Sequence, residues 1–221
     1  MARPILVCSD RDGTITKDDD FYLGKDAHWE EQIEFMPGVI EGIKTLRTMP
    51  QLYFFIVTNQ SGVAISSKGF EQLDEKRMHE VNRHVIERLR EQRAFVNGYF
   101  ACPFVDSKYL ANAQKKGRVI DPRYVNDTCR DIKPNIGMLE KAANSMGLSL
   151  DECDLWVIGD RVSDMELAKN GKGRGILVAS SKTDQLGDIE RVKRVTQTYN
   201  GIFIAPDYNA AAKIIIRSAI N

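Results

Sequence analysis

The chain has 221 residues, 43% of them hydrophobic and 28% charged, and Lys+Arg and Asp+Glu both number 31. That length suits one large domain with a substantial core, read here as a single unit over residues 1–221, and the balanced charge argues against nucleic acid or an anionic membrane as a partner. With no apolar run near the ~18 residues of a membrane span, no signal-peptide pattern and only four cysteines, too few for a disulfide scaffold, a cytoplasmic protein is expected.

The first apolar run of strand length, residues 5–8, stops at Ser9-Asp10-Arg11-Asp12-Gly13-Thr14. In an open α/β sheet ligands bind beyond the carboxyl ends of the strands. Two aspartates at i and i+2 can turn toward one pocket there, their repulsion relieved by a cation, a proton or nearby positive charge. A plain polar turn is the alternative, since Asp-Gly is a common turn dipeptide. Residues 15–35, with Asp18, Asp19, Asp20, Phe21, Tyr22, Trp29 and Phe35, read as a flap over the strand ends. Pro37-Gly38 opens a helix with Val39, Ile40, Ile43 and Leu46 at helical spacing.

Residues 53–57 form a second buried strand, ending in Thr58-Asn59-Gln60-Ser61-Gly62. A long amphipathic helix is expected over 70–93. Its His79 and His84 lie off the i,i+4 spacing of a helical metal pair and read as packing residues. A short strand over 98–101 precedes Cys102, and residues 103–131 form a polar insertion. The basic groups Lys115-Lys116-Gly117-Arg118 and 191–194 read as solvated surface. A helix over 135–146 follows Lys133-Pro134. The strand over 155–158 ends in Gly159-Asp160-Arg161-Val162-Ser163-Asp164 and leads into a helix from about Met165. Two further strands, 176–178 and 202–204, and a helix over 210–219 complete the chain.

Strands alternating with helices imply a mostly parallel sheet in a Rossmann-like three-layer α/β/α sandwich. Parallel strands place their carboxyl ends on one edge, so Asp10/Asp12, Thr58/Asn59 and Asp160/Asp164 can converge, with Lys133 nearby. An excess of carboxylates suits a hard, oxygen-preferring cation, magnesium over zinc. Lysine, threonine and backbone N–H groups suit phosphoryl oxygens. A carboxylate can itself be the nucleophile, forming an aspartyl-phosphate.

On these residues the chain resembles the haloacid dehalogenase-like (HAD) phosphatases. It carries four motifs in the family's order: Asp10-Arg11-Asp12-Gly13-Thr14, Thr58-Asn59, Lys133-Pro134 and Gly159-Asp160-Arg161-x-x-Asp164. Thr58-Asn59-Gln60-Ser61-Gly62 and Met36-Pro37-Gly38 are similar to the branch that holds histidinol-phosphate and heptose-bisphosphate phosphatases. The resemblance implies a domain without a large cap and a magnesium-dependent phosphomonoesterase acting on a small phosphorylated metabolite. A sugar phosphate stands ahead of histidinol phosphate, a nucleic-acid 3′-phosphatase and a non-catalytic binding domain. It implies Asp10 as nucleophile, Asp12 as acid and then base, and Thr58, Asn59 and Lys133 as phosphoryl holders. Magnesium would sit on Asp10, the Asp12 backbone carbonyl and Asp160, with Asp164 a further ligand or a group that supports the ligands. An acid working near neutrality would need a pKa above that of a free aspartate.

The resemblance breaks at the zinc loop of many relatives, Cys-x-His … Cys-x-Cys. Those positions read Cys102-x-Phe104 and Cys129-x-Asp131. A structural zinc takes four ligands from cysteine and histidine, so two ordinary thiols are expected, ahead of a degenerate site that Asp131 or another loop oxygen would complete. The arginine that precedes the lysine in heptose-bisphosphate phosphatases is Ile132 here, which removes a planar anion-binding group. A monomer is expected.

Overall fold

Six strands hydrogen-bond in the order β3-β2-β1-β4-β5-β6 in a computed structural model that describes residues 3–18 and 22–220. They are β1 (Ile5–Ser9), β2 (Leu52–Asn59), β3 (Gly98–Cys102), β4 (Asp154–Gly159), β5 (Arg174–Val178) and β6 (Ile202–Ala205). Every pairing is parallel. Parallel strands need covered faces, and among the described residues eight α-helices connect and flank them: α1 (Val39–Leu46), α2 (Glu75–Glu91), α3 (Ser107–Lys115), α4 (Gly137–Asn144), α5 (Val162–Asn170), α6 (Ser181–Gln185), α7 (Asp188–Thr198) and α8 (Tyr208–Ile220).

The period-2 alternation of each strand divides the core in two. Ile5 and Val7 of β1, with Phe54, Ile56, Trp156 and Ile158, pack against α1, α2 and α8. Leu6 and Cys8, with Phe55, Val57, Leu155 and Val157, pack against α4 and α5. The result is the three-layer sandwich expected from the strand and helix alternation. No described helix is long and apolar enough to cross a membrane.

Two expected elements differ in detail. The helix expected from residue 70 begins at Glu75, because the Asp74 side chain accepts the Arg77 N–H at 2.7 Å and caps it there. Phe70 and Leu73 lie ahead of it, in small apolar clusters outside the main core. The polar insertion is not structureless. Asp106 caps α3 through the Tyr109 N–H at 2.7 Å, and Ala113, Ile120 and Val105 pack with Ala64 and Ile65. Among the described residues no larger cap stands over the sheet. The flap turns back into the core at buried Trp29 and Ile33; its Asp19, Asp20 and Phe21 lie outside the described residues.

Candidate active site

The strands β2, β1 and β4 are neighbours at the centre of the sheet, so the polar clusters that end them are adjacent. The strand order reverses between β1 and β4, which opens a crevice at their carboxyl ends. Asp10 and Asp160, each directly after its strand, flank that crevice. The Asp10 N–H donates to the Ile158 carbonyl at 2.8 Å, tying the exit of β1 to β4. Lys133 enters from the segment before α4. Its ammonium lies 2.8 Å from Asp10 Oδ1 and 2.7 Å from Asp164 Oδ1, and donates to the Val57 carbonyl at 3.3 Å. Asp164, in the first turn of α5, also accepts the Arg161 N–H through Oδ2 at 3.1 Å, the reach-back of a capping residue.

Asp10, Asp160 and Asp164 each bring one carboxylate oxygen within 4.8 Å of the others, and all three are buried. Burial raises Asp10 to about 7, with Lys133 opposing and Asp164 and Asp12 adding to the rise. Burial, then the charges of Asp10 and Asp164, raise Asp160 to about 8, against a hydrogen bond from Ser180. Burial disfavours the charge on Lys133, but Asp10 and Asp164 outweigh it and raise its pKa. With all three carboxyls ionised, one ammonium leaves net negative charge in a dry site, and that is why Asp10 and Asp160 hold their protons more tightly than free aspartates. Asp160 Oδ1 is buried with no hydrogen-bond partner, an open acceptor that a cation or a water can take. An all-oxygen donor set of this kind fits magnesium. Gly13 makes room for the Asp160 carboxylate: φ is +82°, and a Cβ there would stand 2.4 Å from Asp160 Oδ2.

Asp12 faces a different set of groups. Arg11 Nε donates to its Oδ1 at 2.8 Å and Nη2 to its Oδ2 at 2.9 Å, while Gln60 Nε2 donates to Oδ2 at 2.8 Å. Burial works to raise the Asp12 pKa, but the Arg11 charge and the hydrogen bonds from Arg11 and Gln60 overcome it, and the carboxyl lies below its ordinary value. The raised pKa expected of a proton donor is therefore absent in this arrangement. Gln60 Nε2 also donates to Thr58 Oγ1 at 2.8 Å, so Thr58 and Asp12 share one amide. Asn59 does not present its amide to the crevice: Oδ1 accepts the Lys133 N–H at 3.0 Å and Nδ2 donates to the Lys133 carbonyl at 3.4 Å. It clamps the backbone that delivers the ammonium.

Several supporting residues were not singled out from the sequence. Arg11 and Gln60 lie inside the quoted motifs, and their spacing gave no sign that they would meet. Asn82, the acceptor for Arg11 Nη1 at 3.0 Å, was visible as one polar residue on the apolar side of the helix. Ser180, which donates to Asp160 Oδ2 at 2.6 Å, and Thr183, which donates to the Asp160 carbonyl at 2.8 Å, follow β5 and carried no local signal. Cys102 and Cys129 bring their sulfurs to 3.9 Å. Burial pushes the Cys102 thiol up to about 12, and the Asp131 carboxylate is paired with Lys141.

A family model described as "HAD-hyrolase-like" matches residues 132–210. The D-glycero-beta-D-manno-heptose-1,7-bisphosphate 7-phosphatase of Rhodopseudomonas palustris is 31% identical over 160 residues, covering 72% of this chain and 75% of that protein. The enzyme of the same name from Mesorhizobium japonicum is 31% identical over 179 residues, covering 80% and 71%. The crystal structure of D,D-heptose 1,7-bisphosphate phosphatase from B. bronchiseptica, complexed with magnesium and phosphate, superimposes with a TM-score of 0.67 at 21% identity, over 97% of this chain and 99% of that one. Likeness at these levels of identity and coverage places the chain in the family whose four motifs it carries: it belongs to the HAD-like phosphatases, a family of phosphoric monoester hydrolases.

Proposed function

We propose that the protein is a magnesium-dependent phosphomonoesterase that hydrolyses a sugar bisphosphate of the heptose-1,7-bisphosphate type through an aspartyl-phosphate on Asp10. The observation that carries this reading is the Lys133 ammonium held between Asp10 and Asp164 beside the unpartnered Asp160 Oδ1. The names of the relatives support the sugar bisphosphate.

In the reaction, an Asp10 carboxylate oxygen attacks phosphorus in line and the bond to the leaving oxygen breaks. Asp12 delivers a proton to that oxygen and then takes one from the water that cleaves the aspartyl-phosphate. Within the Arg11 fork Asp12 is the base form; one oxygen must leave the fork for it to carry a proton. Lys133 and Thr58 hold phosphoryl oxygens, and Asn59 acts with them by fixing the Lys133 backbone. Asp10, Asp160 and Asp164, with the backbone carbonyl of Asp12, would hold Mg2+, which when bound offsets the charge of the carboxylates and of the incoming phosphate. The flap and the insertion meet where the Arg118 guanidinium stacks 5.1 Å from the Tyr22 ring, and Tyr22 packs edge-on to Phe70. Residues 1–221 act as one monomeric unit on a small metabolite, without nucleic acid and without a structural zinc.

The test is release of inorganic phosphate from a panel holding heptose 1,7-bisphosphate, histidinol phosphate, nucleotides and a 3′-phosphorylated oligonucleotide, with Mg2+ or with chelator. The heptose bisphosphate is expected to give the highest kcat/KM, with no turnover in chelator or in Asp10→Asn. Wild-type turnover by Asp10→Asn would refute the mechanism, and preference for another ester the substrate.

A further inference from the structure

We propose that Asn82 is a positioning residue for the phosphatase reaction: from the middle of α2 it holds the Arg11 guanidinium, and through Arg11 it sets the carboxylate of Asp12. This rests on the acid–base role given to Asp12 above.

Asn82 sits on the buried side of α2 among Met78, Val81, Val85 and Leu89 and has no exposed surface. The periodicity of the helix calls for an apolar side chain there, and a buried amide costs stability unless its hydrogen bonds are made. Both ends of this amide are engaged. Nδ2 donates to the Met78 carbonyl at 2.8 Å, one turn back in the same helix. That bond fixes the rotamer and points Oδ1 away from the helix, where it accepts from Arg11 Nη1 at 3.0 Å.

Arg11 is likewise fully buried. Its Nε and Nη2 are committed to the two oxygens of Asp12, and Nη2 donates also to Gln60 Oε1 at 2.8 Å. In a planar guanidinium, the edge formed by Nε and Nη2 faces Asp12 and Nη1 projects outward from it. An acceptor on Nη1 therefore fixes the plane of the fork from outside, and the plane of the fork fixes that of the Asp12 carboxylate. Asn82 supplies that acceptor from a helix 71 residues away in sequence, packed on the α1 and α8 face of the sheet. Replacing Oδ1 with an apolar group leaves a buried N–H without a partner, which the guanidinium relieves by rotating out of the Asp12 plane. Among the described residues the Asn82 side chain hydrogen-bonds Arg11 and the Met78 carbonyl and none of Asp10, Lys133, Asp160 or Asp164, so the ammonium and the three clustered carboxylates keep their places without it.

The experiment is steady-state hydrolysis of an aryl phosphate at saturating Mg2+ by wild type, Asn82→Leu, Asn82→Asp and Asp12→Asn, with melting temperatures with and without Mg2+. Asn82→Leu is expected to lower kcat about tenfold or more, the scale of a misaligned catalytic group. Its KM should stay within about twofold, and the Mg2+ shift of its melting temperature should be unchanged. Asn82→Asp keeps an acceptor for Nη1 and loses the donor to Met78, so it should recover kcat to within about threefold of wild type. A purely structural role would depress both variants alike, and equal losses in the two overturn the proposal. Wild-type kcat in Asn82→Leu, with Asp12→Asn inactive, overturns it and leaves the role of Asp12 standing. Wild-type kcat in Asp12→Asn overturns both. Asn82→Met gives the same reading if the leucine variant does not fold.

Discussion

Arg11 and Asp12, adjacent in the chain, face each other as a two-point fork at 2.8 and 2.9 Å, with the guanidinium wholly buried and the carboxylate at the mouth of the crevice. Removing one member of a buried ion pair leaves the other uncompensated, at a cost of about 3–5 kcal/mol. Arg11→Met is therefore expected to lose about that much stability in urea unfolding, and Arg11→Lys less, because it keeps the charge and loses only the fork. Equal stability of Arg11→Met and wild type would mean that the fork contributes nothing to the fold.

Mg2+ should stabilise the protein, by about 2.7 kcal/mol at a hundred times its dissociation constant, and the gain should vanish in Asp160→Asn. The sign of the pH dependence follows from the raised carboxyls. Asp10 moves from 3.8 to about 7 and Asp160 from 3.8 to about 8 on folding without metal. Their contribution is thus fully present below the unfolded value and is lost as pH rises through 7 to 8. In chelator the melting temperature should fall between pH 5.5 and 8.5, chosen as points on either side of about 7, and Mg2+ should restore it mainly at the upper end, where protons do not compete. A metal-free melting temperature that rises across that interval would contradict the cluster.

Gly13→Ala combines a left-handed backbone with a Cβ 2.4 Å from Asp160 Oδ2. The expected result is a loss of about 1–3 kcal/mol together with loss of the Mg2+ shift, because Asp160 must move. A stable variant with an unchanged Mg2+ shift would show that the turn has room that the geometry denies it.

Two sulfurs at 3.9 Å supply half of a zinc site, and the third group that could join them, Asp131, is engaged by Lys141. Protein purified without chelator is expected to hold well under one zinc per chain by elemental analysis, and Cys129→Ala to melt within about 0.5 kcal/mol of wild type. Near-stoichiometric zinc would reverse the assignment of these thiols.

Burial and period made the sheet legible. The apolar runs at 5–8, 53–57 and 155–158 are strand-length and end in polar clusters, and for parallel strands that alone brings the clusters to one edge. The motif residues Asp10, Asp12, Lys133, Asp160 and Asp164 could therefore be named together from their order in the chain. Helix ends were less legible, since an aspartate such as Asp74 caps only where its side chain reaches a free N–H.

Hydrophobic periodicity and strand-end chemistry are local properties of the chain, so the architecture, the family and the groups gathered at the crevice can be read along it. Packing in three dimensions settles what each group faces. It turned Asn59 onto the Lys133 backbone, closed Arg11 on Asp12 so that the carboxyl falls in pKa, and left one oxygen of Asp160 without a partner. Those outcomes depend on desolvation and on contacts such as Arg11 with Asn82, 71 positions apart. Electrostatics in a buried site are set by distances between side chains, and no spacing along the sequence encodes them.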